Sequence, residues 1–304
     1  MHRHALVDVG RRGSLVYTRR VTTSPAVLLE SEHTSAWNRR YGVRLRDGAR
    51  VECVLYRGDT LCVSTQVGCA VRCPFCASGA QGFGRNLEIA ELVGQVDAVV
   101  ALGHRVARVT LSGVGEPLHN WDAALELIRM CRARRVAPSL TTSGGPLARL
   151  EQALHAPHNG LTISVHAGSE AMRAQLVPHA PSLEKLYELL AAELPKLTQS
   201  RRRKTALAYL VMAGENDGHP EVDAFIERTR PLGIPVHLYA YNAVASSAHA
   251  RLEGTRYQAI YERMRAAGLV TRMSSQARLE TNGGCGTLVA LRPGRPASAQ
   301  SSPS

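Results

Sequence analysis

From Leu61 onward, short apolar or β-branched runs alternate with longer amphipathic segments, and this alternation restricts the possible fold more than any other feature. The runs at 61–66, 107–111, 138–142, 161–165, 207–212 and 236–241 read as strands. Between them, 86–101, 121–134, 182–194, 221–229 and 257–267 carry helical periodicity; Leu183, Leu186, Tyr187 and Leu190 share one face, and Ser182 stands at a helix start. Strands separated by helices of this length pair in parallel through right-handed crossovers, which gives an α/β fold. Spacing alone leaves open a barrel-like or a doubly wound sheet. Residues 1–50 read as a small N-terminal element with strand-like pieces at 14–17 and 26–29 and a basic segment at 39–50. Residues 51–292 form the main domain, and 293–304, rich in Pro, Ser, Ala and Gly, read as a disordered tail.

A chain of 304 residues with 44% hydrophobic content buries a full core. The first residues carry His and Arg but no apolar signal core, and no run approaches a membrane span, so a cytoplasmic protein is expected. The net charge of +12 attracts polyanions. Arginine dominates it, as in Arg129, Arg132, Arg134 and Arg135 and the run Arg201, Arg202, Arg203 and Lys204. Each run is equally well read as a solvated helix end. The seven cysteines are an odd, clustered set that suits metal or redox chemistry better than a secreted disulfide framework.

Cys69, Cys73 and Cys76 lie at a three-then-two spacing directly after the first of the alternating strands. A loop this short wraps one cubane cluster, and three thiolates satisfy three irons while leaving the fourth open to an external chelate. Structural zinc asks for four ligands, usually as two paired half-sites, and no second Cys or His pair stands at suitable spacing.

The three-cysteine spacing is that of radical S-adenosylmethionine enzymes. The string from Leu61 to Cys69 resembles the RlmN/Cfr family of adenosine methyltransferases, a resemblance that runs from about Arg50 to Leu288. It continues through Gln81 to Leu87, Gly113 to Leu118, Thr141 to Gly144, Ser164 to Ala167, Leu176 to Pro178, Tyr241-Asn242 and Cys285-Gly286. The resemblance implies a partial (β/α)6 radical-SAM barrel with a short N-terminal β-containing extension. It implies a 4Fe-4S cluster on Cys69, Cys73 and Cys76, and S-adenosyl-L-methionine held by Gly115, Glu116, Thr141, Ser164, Val165, His166 and Asn242, at the C-terminal ends of strands where barrels place their chemistry. Thr141 departs from the family's more usual Ser but keeps the hydroxyl. On residue type alone, His166 is a satisfied core histidine and Gly115-Glu116 an ordinary turn.

By the same resemblance Cys285, flanked by glycines, accepts a methyl group and carries it as a thioether to the RNA base. A 5′-deoxyadenosyl radical activates that methyl, Glu52 takes the adenine ring proton, and Cys62 resolves the enzyme–RNA crosslink through a transient disulfide with Cys285. The family's acidic residues before this cysteine are replaced by Leu279, Glu280, Thr281 and Asn282. The product is an adenosine methylated at C2 or C8. RNA is the partner, ribosomal RNA first and transfer RNA second, with a low-potential electron donor and a monomeric enzyme. The alternative is a radical S-adenosylmethionine enzyme that modifies a peptide or small molecule, which the short N-terminal extension keeps open.

Overall fold

The computed structural model describes residues 16–17, 21–24, 26–80, 82–280 and 283–292. The expected tail 293–304, most of residues 1–25, Gln81, Thr281 and Asn282 lie outside the described residues. The strands are β1 (Val16–Tyr17), β2 (Val21–Ser24), β3 (Val27–Thr34), β4 (Asn38–Leu45), β5 (Arg50–Tyr56), β6 (Thr60–Val63), β7 (Gln66–Gly68), β8 (Phe83–Asn86), β9 (Arg108–Leu111), β10 (Ala137–Thr142), β11 (Gly160–Ser164), β12 (Thr205–Val211), β13 (Val236–Ala240) and β14 (Thr271–Met273). The helices are α1 (Ala77–Ala80), α2 (Ile89–Ala101), α3 (Trp121–Ala133), α4 (Leu147–His155), α5 (Glu170–Leu176), α6 (Leu183–Glu193), α7 (Gln199–Lys204), α8 (His219–Thr229), α9 (Gly254–Ala266) and α10 (Gln276–Leu279).

One 12-stranded sheet organises the chain, in the order β1-β3-β4-β5-β6-β9-β10-β11-β12-β13-β14 with β2 on β3. From β6 to β14 every pairing is parallel and each new strand joins the same growing edge. A monotonic order built by crossovers of one hand places the helices on one face. The doubly wound alternative requires a reversal of strand order, and none occurs. The sheet is therefore singly wound and open, its last described strand pairing only β13. The antiparallel strands β3, β4 and β5 continue the same sheet on the other side of β6.

Register sorts the two faces. Leu111 pairs with Leu140, and Leu140 with Leu161, so these side chains line up toward the helices, where Leu127, Ile128, Leu150 and Leu154 are buried with them. The opposite face carries Cys62 beside Thr110, Thr110 beside Ser139, Thr141 beside Thr162, and Ser164 beside Ala208. This row of small, mostly polar side chains leaves room inside the curve of the sheet. Ser182 caps α6, its hydroxyl accepting from the Lys185 amide at 3.4 Å, as the sequence predicts.

The basic segment at 39–50 is largely strand β4, and its arginines face carboxylates on neighbouring strands. Arg39 pairs with Glu32, Arg44 with Glu30 and Arg40 with Glu52. We expect Leu161→Ala, at a fully buried position of the central strand β11, to lower the unfolding free energy by about 2–5 kcal/mol, measured by urea denaturation.

Candidate active site

The cysteine loop is shaped by backbone before any ligand is considered. Gly68 has φ +78°, and a Cβ there would lie 1.8 Å from the Gly82 carbonyl oxygen. That same oxygen accepts from the Cys69 amide at 3.2 Å. The antiparallel pair β7 and β8 thus closes the loop at its base, and the Cys76 amide donates to the Cys73 carbonyl across it at 3.1 Å. The three thiols pack against an apolar wall that includes Val71, Phe75, Leu176, Val177, Met212 and Tyr241. Burial pushes the Cys69 thiol up to about 12 and raises Cys73 and Cys76; neighbouring sulfurs add to each rise, Cys76 for Cys69 and Cys73, and Cys285 for Cys76. Thiolates in such surroundings need a cationic partner, which an iron cluster supplies. Three thiols on one loop are the donor set of an iron–sulfur cluster, which Cys69, Cys73 and Cys76 would hold.

The second segment lies beyond β9. Gly115 has φ +107°, and a Cβ there would stand 2.6 Å from the Gln66 side chain, so only glycine fits between β9 and the cysteine loop. The Glu116 amide donates to Gln66 Oε1 at 2.8 Å. The Glu116 carboxylate, 3% exposed, accepts from Thr142 Oγ1 at 2.6 Å, the Ser143 amide at 2.7 Å and the Leu118 amide at 3.0 Å. It ties the C-terminal ends of β9 and β10 together. Thr142, not Thr141, meets this carboxylate; Thr141 stands on the inner face of the sheet beside Thr162.

Ser164, Val165 and His166 end β11. His166 holds φ +63°, and Asn216 stabilises that turn by donating to the His166 carbonyl at 2.7 Å. The Leu210 amide donates to His166 Nδ1 at 2.9 Å, which assigns the proton to Nε2. Burial, and then the Arg173 guanidinium, depress the imidazole to about 3, so it is neutral, with its ring edge against Phe75 of the cysteine loop at 5.5 Å between centroids.

Arg173 was not apparent from sequence. It is 2% exposed and donates to the carbonyls of Ser143 at 2.6 Å, Ser164 at 2.7 Å, Val165 at 2.9 Å and Pro181 at 3.3 Å. Burial depresses it to about 10, while the nearby Cys73 works in the opposite direction. One guanidinium therefore binds the ends of β10 and β11 beside the cysteine triad.

The C-terminal segment brings the fourth cysteine to this place. The Ala77 amide, next to Cys76, donates to the Gly286 carbonyl at 2.9 Å, and Ser78 Oγ to the Leu288 carbonyl at 2.8 Å. Asn242 donates to the carbonyls of Arg278 at 2.6 Å and Cys285 at 3.1 Å, so its amide holds the Cys285 loop. Cys285 Sγ accepts from Arg278 Nη1 at 3.0 Å, and the Arg278 guanidinium lies 5.2 Å from the Tyr239 ring centroid. Cys285 is also among the groups that raise the Tyr56 hydroxyl and the Cys62 thiol. Burial pushes Cys62 up to about 12, opposed by its 3.1 Å hydrogen bond with Ser112 Oγ. All seven cysteines are free thiols. Glu52 lies on β5, where burial raises its carboxyl above its ordinary value against the pull of Arg40 and the Val289 amide. The amide donates at 2.9 Å and Arg40 Nη1 stands 3.6 Å away.

An α/β fold of this winding, with three thiols on the loop after its first parallel strand, is the architecture of a radical S-adenosylmethionine enzyme. The model of the Radical SAM superfamily matches residues 63–226, over half the chain. A probable RNA methyltransferase of Aromatoleum aromaticum is 34% identical over 86% of this chain and 74% of its own length. The dual-specificity RNA methyltransferase RlmN of Magnetococcus marinus is 32% identical over 81% of this chain and 72% of its own. A radical SAM methyltransferase from Sphaerobacter thermophilus superposes with a TM-score of 0.74 at 28% identity, covering 87% of this chain and 81% of that one. The chain belongs to the radical SAM RNA methyltransferase family that includes RlmN. It is an enzyme whose cofactors are a 4Fe-4S cluster and S-adenosyl-L-methionine.

Arg173→Met leaves carbonyls on three segments without a donor. We expect it to lower the unfolding free energy by about 3 kcal/mol in denaturant titration of the cluster-free protein, with Arg173→Lys recovering only part, because one ammonium cannot span those carbonyls.

Proposed function

We propose that the enzyme methylates a ring carbon of adenosine, C2 or C8, in RNA, with Cys285 as the methyl-carrying residue. The observation that carries this reading is the placement of Cys285. Its loop is hydrogen-bonded to the cysteine loop through Gly286 and Ala77, and its sulfur accepts from Arg278.

When bound, the cluster and S-adenosyl-L-methionine supply a transferable methyl group and one-electron chemistry able to activate a methyl carbon. Cys69, Cys73 and Cys76 would hold three irons. Gly115, Glu116, Thr141, Ser164, Val165 and His166 line the rim where S-adenosyl-L-methionine would lie, and Asn242 acts through the Cys285 loop. The remaining work falls to side chains of the chain. Arg278 donates to the Cys285 sulfur and orients it, and the methyl group is accepted by displacement at that sulfur. The raised carboxyl of Glu52 makes it a stronger base than an exposed glutamate for the ring proton. Cys62, held by Ser112, supplies the thiol that displaces the product from Cys285, leaving a disulfide between the two. The substrate is ribosomal RNA before transfer RNA, and the electrons come from a low-potential donor. Among the described residues no helix is long and apolar enough to cross a membrane; we place the enzyme in the cytoplasm, as a monomer.

The test is anaerobic reconstitution with labelled S-adenosyl-L-methionine, a reductant and unmodified bulk RNA, followed by digestion and identification of the labelled nucleoside. Label in adenosine with wild type and none with Cys285→Ala is the expected result; cofactor cleavage without RNA label would defeat the reading. Cys62→Ala is expected to accumulate protein covalently joined to RNA, visible as a shifted band that nuclease removes. Glu52 must be ionised to act, and its folded pKa is raised. Turnover should therefore fall off on the acid side at a higher pH than an exposed glutamate would give, and Glu52→Gln should remove at least about 100-fold in rate.

A further inference from the structure

A cavity of about 440 Å³ opens where the β3–β4 and β5–β6 turns meet, and none of the three cluster cysteines lines it. Its walls include Trp37, Arg39, Leu55 and Arg57. Trp37 is 49% exposed, whereas the other tryptophan, Trp121, is 3% exposed. A single exposed aromatic is ordinary on a protein surface, but this one is fixed in place. The Trp37 amide donates to Glu280 Oε1 at 3.2 Å, and the Trp37 carbonyl accepts from the Arg57 amide at 2.7 Å. Arg57 holds φ +50° to make that contact, a conformation a non-glycine residue adopts at some cost. Glu280 also accepts from Ser35 Oγ. The indole is therefore carried on a backbone clamped from two sides, and Arg39 and Arg57 line the same cavity.

We infer that this cavity is a subsite for an unpaired nucleotide flanking the target adenosine, its base stacked on Trp37 and its phosphates met by Arg39 and Arg57. A half-exposed indole on a fixed backbone, in a cavity wall shared with two arginines, is the chemistry of a single-strand stacking platform, in which the ring takes any base and the arginines take the backbone. The clamp adds a connection to catalysis. Glu280, which holds the platform, lies five residues before Cys285, and Leu55 in the cavity wall is followed by Tyr56, whose hydroxyl is raised by burial and then by Cys285. A nucleotide seated here bears on the segment that carries the methyl-carrying cysteine. The inference rests on RNA as the substrate and deepens that reading.

The experiment uses full-length, cluster-reconstituted protein and a short labelled single-stranded oligoribonucleotide containing adenosine. Binding is followed by anisotropy over a salt series and, in parallel, by Trp emission. Stacking is expected to quench Trp37 emission, and the quench should vanish in Trp37→Phe while affinity is largely kept. Trp37→Ala should weaken binding by about 5- to 100-fold, and Arg57→Gln should flatten the salt dependence by about one phosphate. Thermal melts matched to wild type exclude misfolding of the variants. Affinity within twofold of wild type in Trp37→Ala with no quench in wild type overturns the subsite, as does weakened reduction by the electron donor with RNA affinity intact. Labelled adenosine formed by wild type alongside an unaffected Trp37→Ala sinks the subsite and leaves the methyltransferase reading standing. Trp37-dependent RNA binding with no label in adenosine does the reverse.

Discussion

The architecture depends on a short run of backbone hydrogen bonds that lays residues 286–291 across the cysteine loop and β5. Gly286 receives the Ala77 amide and Leu288 the Ser78 hydroxyl, Val289 donates to Glu52, and Leu291 exchanges two 2.8 Å bonds with Arg50. Each of these ties the far end of the chain to an element near its beginning, so Cys285 reaches the cysteine triad through the C-terminal segment rather than through the parallel sheet. Two glycines make the path sterically possible. A Cβ at Gly284 would lie 2.2 Å from the Glu280 carbonyl oxygen, and one at Gly283, which also has φ +79°, would meet Val54 at 2.9 Å. The same run explains why Glu52 is partly buried: the Val289 amide that raises order in the C-terminal segment also draws this carboxylate under it.

Around that junction, polar and charged groups are first used to build the site, among them Glu116 and Asn242, which the resemblance assigns to cofactor binding. Glu116 joins two strand ends through Thr142 and Ser143, and Asn242 spends its amide on the Cys285 loop while its oxygen takes Arg251 at 2.6 Å. Arg173 does the same for β10 and β11. Preorganised polar groups held this way cost little to reorganise when a charged cofactor arrives, which is the condition under which they act strongly on it.

Much of this was legible in advance because it is local. The six main strands fall within a few residues of the apolar runs that mark them, and the Gly and Cys positions carry their own steric or chemical signature. The misses differ in cause. Helix α4 carries Leu147, Leu150 and Leu154 at helical spacing, a pattern that could have revealed it, whereas the three-residue β14 was too short to show one. The N-terminal hairpins are longer and more regular than the strand-like pieces expected there, because cross-strand Arg–Glu pairs compensate the charges that made β4 read as a basic segment. Arg173, Arg278 and Tyr56 matter through contacts with residues distant in sequence, and nothing in their immediate neighbours distinguishes a buried guanidinium from a solvated one.

The net charge of +12 must be read with those pairings in mind. Arg39 and Arg44 face Glu32 and Glu30 on the adjacent strand β3, and Arg50 reaches Glu30 across β4, so they do not attract a polyanion as isolated cations would. Pairs this exposed contribute only about 0–1 kcal/mol, and an arginine exchanging a carboxylate for a phosphate loses little and keeps its bidentate geometry. Arg39 is in that position at the edge of the Trp37 cavity, with 44% of its side chain exposed. In the subsite inferred above, Arg39 would exchange Glu32 for a phosphate without loss of the hairpin, because its pair with Glu32 is exposed.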